Sequence, residues 1–405
     1  MLAKILTGML VVFLIKVLCA PFAFVGSAFA EITDIEEDAD ALYLMEAETG
    51  RVLHEYNGDK PWPPASLTKI MTLIIGLEGL EDGALQLDET TTVSTNAWET
   101  AGSQMYLDEN QEVTIEDLLS GIAVVSANDA SVALAEHMAG SVNRFVTKMN
   151  EKAKEIGLAN THFENPMGFY HPDQQITARD TAHLARYAVQ NTPKILELES
   201  MPEFTFNNIT QENRNKMLPI LETSHSYPGT DGLKTGYISE AGYNFVGTSK
   251  QDDMRLIAVV LGSESEYKRF ELTASLFDYG FSEYRKMDYL DPTTEIEKVE
   301  IKHGREKKLS AFPESSLSVV TRFSNPSELE KEFRTLENLE APIEAGQKLG
   351  ELIILEKGEA IARVDGIAQE DVEKAGIFTR IYRAVVGQVI DIFNSIKDFI
   401  VSLLP

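Results

Sequence analysis

The chain has 405 residues, 43% hydrophobic and 25% charged, with a formal net charge of −28 at pH 7. That length allows two or three domains, and the composition is that of a folded protein, which excludes a mainly disordered chain. The acidity argues against nucleic acid as a partner, because phosphate binding needs clustered Lys and Arg; it points to solubility or a salty habitat rather than to a particular ligand.

Residues 1–30 differ from the rest. They hold Lys4 and Lys16 and no acid, an almost wholly apolar run from Ile5 to Ile15, and an Ala28-Phe29-Ala30 end before Glu31. A basic start, an apolar centre and an A-x-A end predict a secretory signal peptide, with an uncleaved anchor as the alternative. The single cysteine, Cys19, lies inside this segment after Leu18, which is too large for a lipoprotein signal. The mature chain then has no thiol, so disulfides and cysteine catalysis drop out.

Ala41–Glu48 and Arg51–Tyr56, joined at Thr49-Gly50, predict a hairpin. The stiff Pro61-Trp62-Pro63-Pro64 leads into an apolar helix from Ser66 to about Leu80. Thr114-Ile115-Glu116-Asp117 resembles a capping box and starts a helix toward Val125. Further helices are expected over Asn128–Met138, over Val142–Ile156 with Ser141 as cap and Gly157 as stop, and from Thr177 to about Val189. The period then changes: Gly232–Tyr237, Tyr243–Thr248 and Arg255–Leu261 read as strands, the last two forming a hairpin across Gln251-Asp252-Asp253. A helix over Glu266–Tyr279 closes this part. The expected fold class is α+β, an antiparallel sheet packed against a helical cluster, spanning residues 31–288.

Past Pro292 short strands recur at Glu295–Lys302, Ser316–Arg322, Gly350–Leu355 and Ala360–Val364, with a turn at Lys357-Gly358-Glu359. Residues 289–375 are therefore expected to form a small all-β, sandwich-like domain. In residues 376–405 apolar positions such as Ile377, Phe378, Ile381, Val385, Phe393 and Leu403 share one helical face, while Arg380, Arg383, Asp391, Lys397 and Asp398 share the other. So many charges do not suit a spanning helix; they suit an amphipathic helix lying on a membrane surface. A helix packed on protein is the alternative.

Three short strings carry chemistry. In Ser66-Leu67-Thr68-Lys69 the hydroxyl and amine fall three residues apart, on one helix face. A helix N-terminus favours developing negative charge, and a lysine buried beside another cation can accept the serine proton. Ser126-Ala127-Asn128 sits between two apolar helices, where a loop can aim a hydroxyl and an amide into a cleft. Lys234-Thr235-Gly236 lies in a strand pattern; Lys234 offers charge to a carboxylate, Thr235 a hydroxyl, and Gly236 close backbone approach. Each string alone has an ordinary explanation as cap, turn or edge strand. Together and in this order they resemble the S-x-x-K, S-D-N and K-T-G signature of class A β-lactamases and penicillin-binding proteins, with S-A-N here as the middle string.

The chain resembles the low-molecular-mass penicillin-binding proteins, specifically the serine D-alanyl-D-alanine carboxypeptidases. The likeness runs from Pro64-Ala65-Ser66-Leu67-Thr68-Lys69-Ile70-Met71-Thr72 through Gly232-Leu233-Lys234-Thr235-Gly236, Ala241-Gly242-Tyr243-Asn244 and Met254-Arg255-Leu256-Ile257 to Ala341-Pro342-Ile343 in the β domain. It implies a penicillin-binding, transpeptidase-like fold, a small β domain and a membrane-associating terminal helix. It implies acyl transfer, with Ser66 as nucleophile, Lys69 as base, and Ser126 relaying a proton toward the leaving amine with help from Lys234. Asn128 would hold the peptide. The N–H groups of Ser66 and Tyr237 would form an oxyanion hole, and Thr235 and Arg255 would bind the terminal carboxylate. Tyr237 stands where some relatives have histidine. Arg214, in Asn213-Arg214-Asn215, matches a block near the cleft and reads as structural or as a support behind the residues that touch substrate. Expected partners are peptidoglycan stem peptides, β-lactams as covalent inhibitors and a membrane surface, in the periplasm or on the outer face of the cytoplasmic membrane.

No histidine pair has metal-ligand spacing, so neither metal nor cofactor is expected. His171 reads as a loop residue. Glu164-Asn165-Pro166 reads as a turn rather than as a deacylating glutamate. A D,D-endopeptidase or β-lactamase of the same fold, and a non-catalytic wall-binding scaffold, stay open as alternatives, because one set of motifs serves all of these.

Overall fold

The computed structural model describes residues 32–323 and 329–379. The expected signal peptide and most of the terminal helix lie outside the described residues.

The sheet of the first domain is built from both ends of its chain. β1 (Ala41–Glu46) and β2 (Val52–Tyr56) form the first hairpin. β3 (Thr230–Gly232), β4 (Thr235–Ile238), β5 (Gly242–Gln251) and β6 (Met254–Ser263) come about two hundred residues later. The order is β2–β1–β6–β5, all antiparallel, with β3 and β4 both pairing along the outer side of β5. Every residue of β1 is buried, so this strand is covered on both faces. Tyr43, Met45, Ile257 and Val259 face the helical cluster. On the other face a side chain at Gly280 would strike Leu256 and Leu44, so the helix that carries Gly280 packs there.

That last helix is α7 (Lys268–Glu283). The cluster on the opposite face comprises α1 (Lys69–Glu81), α2 (Ile115–Val124), α3 (Asn128–Ala139), α4 (Val142–Glu155), α5 (Ala178–Asn191) and the short α6 (Lys194–Glu199). Their starts follow local chemistry. Thr114, Ser141 and Thr177 each cap a helix by accepting from the N–H three residues on, worth about 1 kcal/mol each. α1 is the central helix. Ile70, Met71, Leu73, Ile74 and Leu77 are all buried, each side chain contributing roughly 1.5–3 kcal/mol through burial. Two polar residues, Lys69 and Thr72, are buried with them, and they face the site.

The strand expected over Gly232–Tyr237 is broken in two, with Lys234 at the break. A hairpin at Glu203–Phe206 and Ile209–Glu212 was not expected. Its signal is the pair Asn207-Asn208, both at positive φ in a two-residue turn, where asparagine tolerates the left-handed region.

The second domain begins with β7 (Tyr284–Leu290), which pairs with β10 (Leu317–Arg322). The change to β structure therefore comes at Tyr284, a few residues before the 288/289 boundary read from the sequence. β8 (Glu297–Glu300), β9 (Lys308–Pro313), β11 (Leu329–Thr335), β12 (Lys348–Glu356) and β13 (Glu359–Ala368) form a second sheet in the order β8–β9–β13–β12–β11. Leu290, Leu317 and Val319 meet Leu352, Ile354 and Val364 between the sheets, a sandwich-like core. Lys357-Gly358 makes the β12–β13 turn with both residues at positive φ.

Candidate active site

A cleft of about 330 Å³ opens between the helical cluster and the edge of the sheet at β4. Ser66, Ser103, Ser126, Arg214, Thr235, Gly236, Tyr237, Tyr243, Glu266 and Arg269 line it. A larger cavity of about 500 Å³, between Thr49–Val52 and Glu359–Arg363, holds no nucleophile beside a buried base.

Ser66 lies in the tight turn Ala65–Thr68 that leads into α1. Two glycines let other segments close on this turn. A side chain at Gly168 would collide with Ala65 O, and one at Gly236 would press on Pro64 O and Ser66 N. Ala65 sits at φ +48°, a costly conformation for a residue with a side chain. Lys69, one turn further, is fully buried; its Nζ lies 3.0 Å from Ser66 Oγ and donates to Met167 O at 2.6 Å. No carboxylate pairs with it among the described residues. Burial first, and then the positive charges of Lys234 and Arg214, hold its pKa well below the usual lysine value. A lysine in that state can take up the proton of a hydroxyl.

The loop that carries Met167 also supplies Pro166 O to Thr72 Oγ1. It contributes backbone carbonyls, while the Glu164 carboxylate turns to His162 at 2.9 Å. Glu164, His171 and Asp173 bring ligand atoms within 4.8 Å of one another on this loop, with His171 and Asp173 open to solvent.

Ser126 occupies the break between α2 and α3 at φ +61°. Its hydroxyl is buried and has no hydrogen-bond partner among the described residues. A strained residue with an unsatisfied hydroxyl aimed at a cleft is a mark of a functional position. Asn128 opens α3, and its Nδ2 donates to Ala101 O at 2.8 Å. Asp129 accepts from the N–H groups of Met105 and Leu107, which fixes the loop over the cleft.

Lys234 is buried at the break between β3 and β4, and its Nζ donates to Ala123 O at 3.2 Å. Burial lowers its pKa, against the opposing field of Glu199. Thr235 and Gly236 follow on β4, opposite Phe245 and Asn244. Tyr237 is 54% exposed and lies over Tyr243 with ring centroids 4.4 Å apart. Its ring therefore forms part of the cleft rim.

The structure brings Ser66, Lys69, Ser126, Asn128, Lys234, Thr235, Gly236 and Tyr237 to one place, and leaves Arg255 out. Both arms of the Arg255 guanidinium are held by Asp231 at 2.7 Å, and one also by Thr248 Oγ1 at 2.8 Å. A carboxylate ligand would have to break that bidentate pair, so the expected role for Arg255 is withdrawn. The cations at the cleft are Arg214 and Arg269. Arg214 Nε donates to Val125 O at 3.2 Å, beside Ser126. Arg269 is 4% exposed, lies over the Tyr243 ring, and has a buried Nε without a partner among the described residues. Burial brings its pKa down to about 10. No sequence signal singled out Arg269.

The D-alanyl-D-alanine carboxypeptidase family profile matches residues 28–265, and that of the penicillin-binding protein 5 C-terminal domain matches residues 284–374. The chain is 35% identical over 372 residues to D-alanyl-D-alanine carboxypeptidase DacF of Bacillus subtilis, covering 90% of this chain and 94% of that protein. Among solved structures, penicillin binding protein 5 from Haemophilus influenzae superposes with a TM-score of 0.76 at 33% identity, covering 83% of this chain and 98% of that one. Penicillin-binding protein D2 from Listeria monocytogenes, in its ampicillin-bound form, gives a TM-score of 0.55 at 32% identity, covering 60% of this chain and 98% of that one.

Proposed function

The chain belongs to the D-alanyl-D-alanine carboxypeptidase family of low-molecular-mass penicillin-binding proteins, and we propose that it removes the terminal D-alanine of peptidoglycan stem peptides through an acyl-enzyme on Ser66. The observation that carries this is the Ser66–Lys69 pair: a hydroxyl 3.0 Å from a buried amine whose charged form is disfavoured.

In this reading Ser66 Oγ attacks the carbonyl carbon between the two D-alanines while Lys69 takes its proton. The tetrahedral oxyanion is held by the N–H groups of Ser66 and Tyr237. Ser126 passes its proton to the leaving nitrogen and takes up the one that Lys69 accepted, the C–N bond breaks and D-alanine departs. Water then adds to the ester carbonyl, and its proton returns to the Ser66 oxygen as the shortened peptide leaves. Asn128 holds the peptide backbone. Thr235, with the charges of Lys234, Arg214 and Arg269, binds the terminal carboxylate; Lys234 and Arg269 are already desolvated by burial. A β-lactam enters the same sequence, but its opened amide stays tethered and leaves slowly.

Intact mass after incubation with penicillin, alongside D-alanine release from a peptide ending in D-Ala-D-Ala, tests the assignment. The parent is expected to gain one penicillin and release D-alanine, while Ser66→Ala does neither. A folded parent that does neither revives the wall-binding scaffold.

Residues 1–30 serve in this reading as an export signal, and the protein works outside the cytoplasmic membrane. Among the described residues no helix is long and apolar enough to cross a membrane. The apolar positions read from the sequence of residues 376–405 suit contact with a membrane surface in this reading; Ile377 and Phe378 are 66% and 87% exposed. Residues 376–405 fused to an unrelated soluble protein are expected to carry it onto liposomes, and a fusion that stays in solution removes this part of the reading.

A further inference from the structure

Glu199 is a buried acid that the reaction just described does not use. It is the last residue of α6, 1% exposed, and neither carboxyl oxygen has a hydrogen-bond partner among the described residues. Its backbone carbonyl is tied to Asn213 Nδ2 at 2.9 Å, which fixes the end of the helix. A side chain at Gly232 would come within 4.0 Å of Glu199 Cβ, so this residue stands directly behind the strand that leads into Lys234. Lys234 is the charge that acts on it. The Lys234 ammonium itself donates to Ala123 O, so the two groups act on each other through space.

A carboxylate without solvent or donors is costly, so such a group keeps its proton until a neighbouring positive charge outweighs the loss of hydration. We propose that Glu199 is a positioning residue for the reaction: its buried, unpartnered carboxyl stands behind the strand that leads into Lys234 and is placed to supply the counter-charge that favours the Lys234 cation. The inference rests on Lys234 acting as a cation in the proposed reaction.

The surrounding groups fit this role. Burial pushes the Glu199 carboxyl up to about 8, with Lys234 opposing. Lys234 faces Arg214 and Arg269, both of which disfavour its charge, and Glu199 is the acid that favours it. Lys69 in turn feels Lys234 and Arg214, with Asp129 opposing. Without a negative charge at Glu199, Lys234 loses its proton at lower pH. The substrate carboxylate then loses a cation, and Lys69 loses part of the field that keeps it a base.

The test is kcat/KM for D-alanine release, and the rate of penicillin acylation, across the pH range for the full chain and Glu199→Gln. Glutamine mimics the neutral carboxyl, so activity at neutral pH is expected to stay within about twofold, while the alkaline limb moves down by about one pH unit, a roughly tenfold loss on that limb. Glu199→Asp is expected to recover it. An unmoved alkaline limb, or an equal loss at every pH with a lowered Tm, overturns the inference. The parent alone gives a second check: an infrared band of a protonated carboxyl present at neutral pH should fade as the pH passes about 8, and its absence overturns the inference as well. A folded parent that takes up no penicillin overturns the proposed reaction and this inference with it. A parent that acylates beside a Glu199→Gln with the same pH profile overturns this inference alone.

Discussion

In the first domain Lys69, Asp129, Glu199, Lys234 and Arg269 are all buried, whereas in the β domain the one buried polar side chain among the described residues is Thr321. The β domain keeps its charges at the surface and pairs them there, as in Lys348–Asp365 at 2.6 Å and Arg363–Glu351 at 3.2 Å. Burying charge costs several kcal/mol per ion unless it is paired, and isolated buried ions are tolerated where their altered protonation is used. The first domain bears that cost around one cleft, with three cations and two acids whose pKa values are displaced by burial. The β domain follows the ordinary pattern of an apolar core and a solvated exterior, which suits a scaffold.

The sharpest way to break this comparison is to remove one buried cation at the cleft and one paired arginine away from it. Arg269→Met is expected to raise KM for a peptide with a free terminal carboxylate by about 10- to 100-fold, the loss of one or two charge-assisted hydrogen bonds. Arg255→Met is expected to leave KM unchanged. It lowers Tm instead, by roughly 2–4 °C for each kcal/mol lost when the Asp231 pair is broken. Steady-state kinetics and a thermal melt on both variants separate the two roles. Equal effects on KM would return Arg255 to the substrate.

A smaller effect is expected where the domains meet. Arg51, beyond the β1–β2 turn, donates to Val320 O and pairs with Glu356 of the β domain, and Lys286 pairs with Glu48 beside it. Arg51→Ala should lower Tm by about 2–4 °C and leave kcat/KM within twofold. A large fall in activity would show that the β domain shapes the cleft.

The parts of the molecule that sequence made legible are those governed by neighbours in the chain. The caps at Thr114, Ser141 and Thr177 each bond to an N–H three residues on, and the Lys357-Gly358 turn needs only its own two φ angles. The three motif strings stood out for the same reason, as short patterns. Arg255 and Arg269 were not legible, because their roles depend on pairings remote in sequence. Arg255 sits opposite Lys250 on β5, beside Thr248, and is thereby carried to Asp231. Arg269 is brought to the cleft only because α7 packs across the back of the sheet and lays its first turn against Gly236 and Asn244. The break in the strand at Lys234 was hidden too, since Gly232–Tyr237 read as one strand.

The central claim is that burial and neighbouring cations make Lys69 a base, and the pH dependence of penicillin acylation tests it most directly. Lys69 has a lowered pKa, so its neutral form is lost as the pH falls through that value, and the acylation rate should fall on the acid side. That limb should lie well below the ordinary lysine value of about 10.4. Removing a cation by Arg214→Met should raise the pKa of Lys69 and move the limb to higher pH. A limb that stays in place in Arg214→Met, or a parent whose acylation rises only near the ordinary lysine value, would contradict the account.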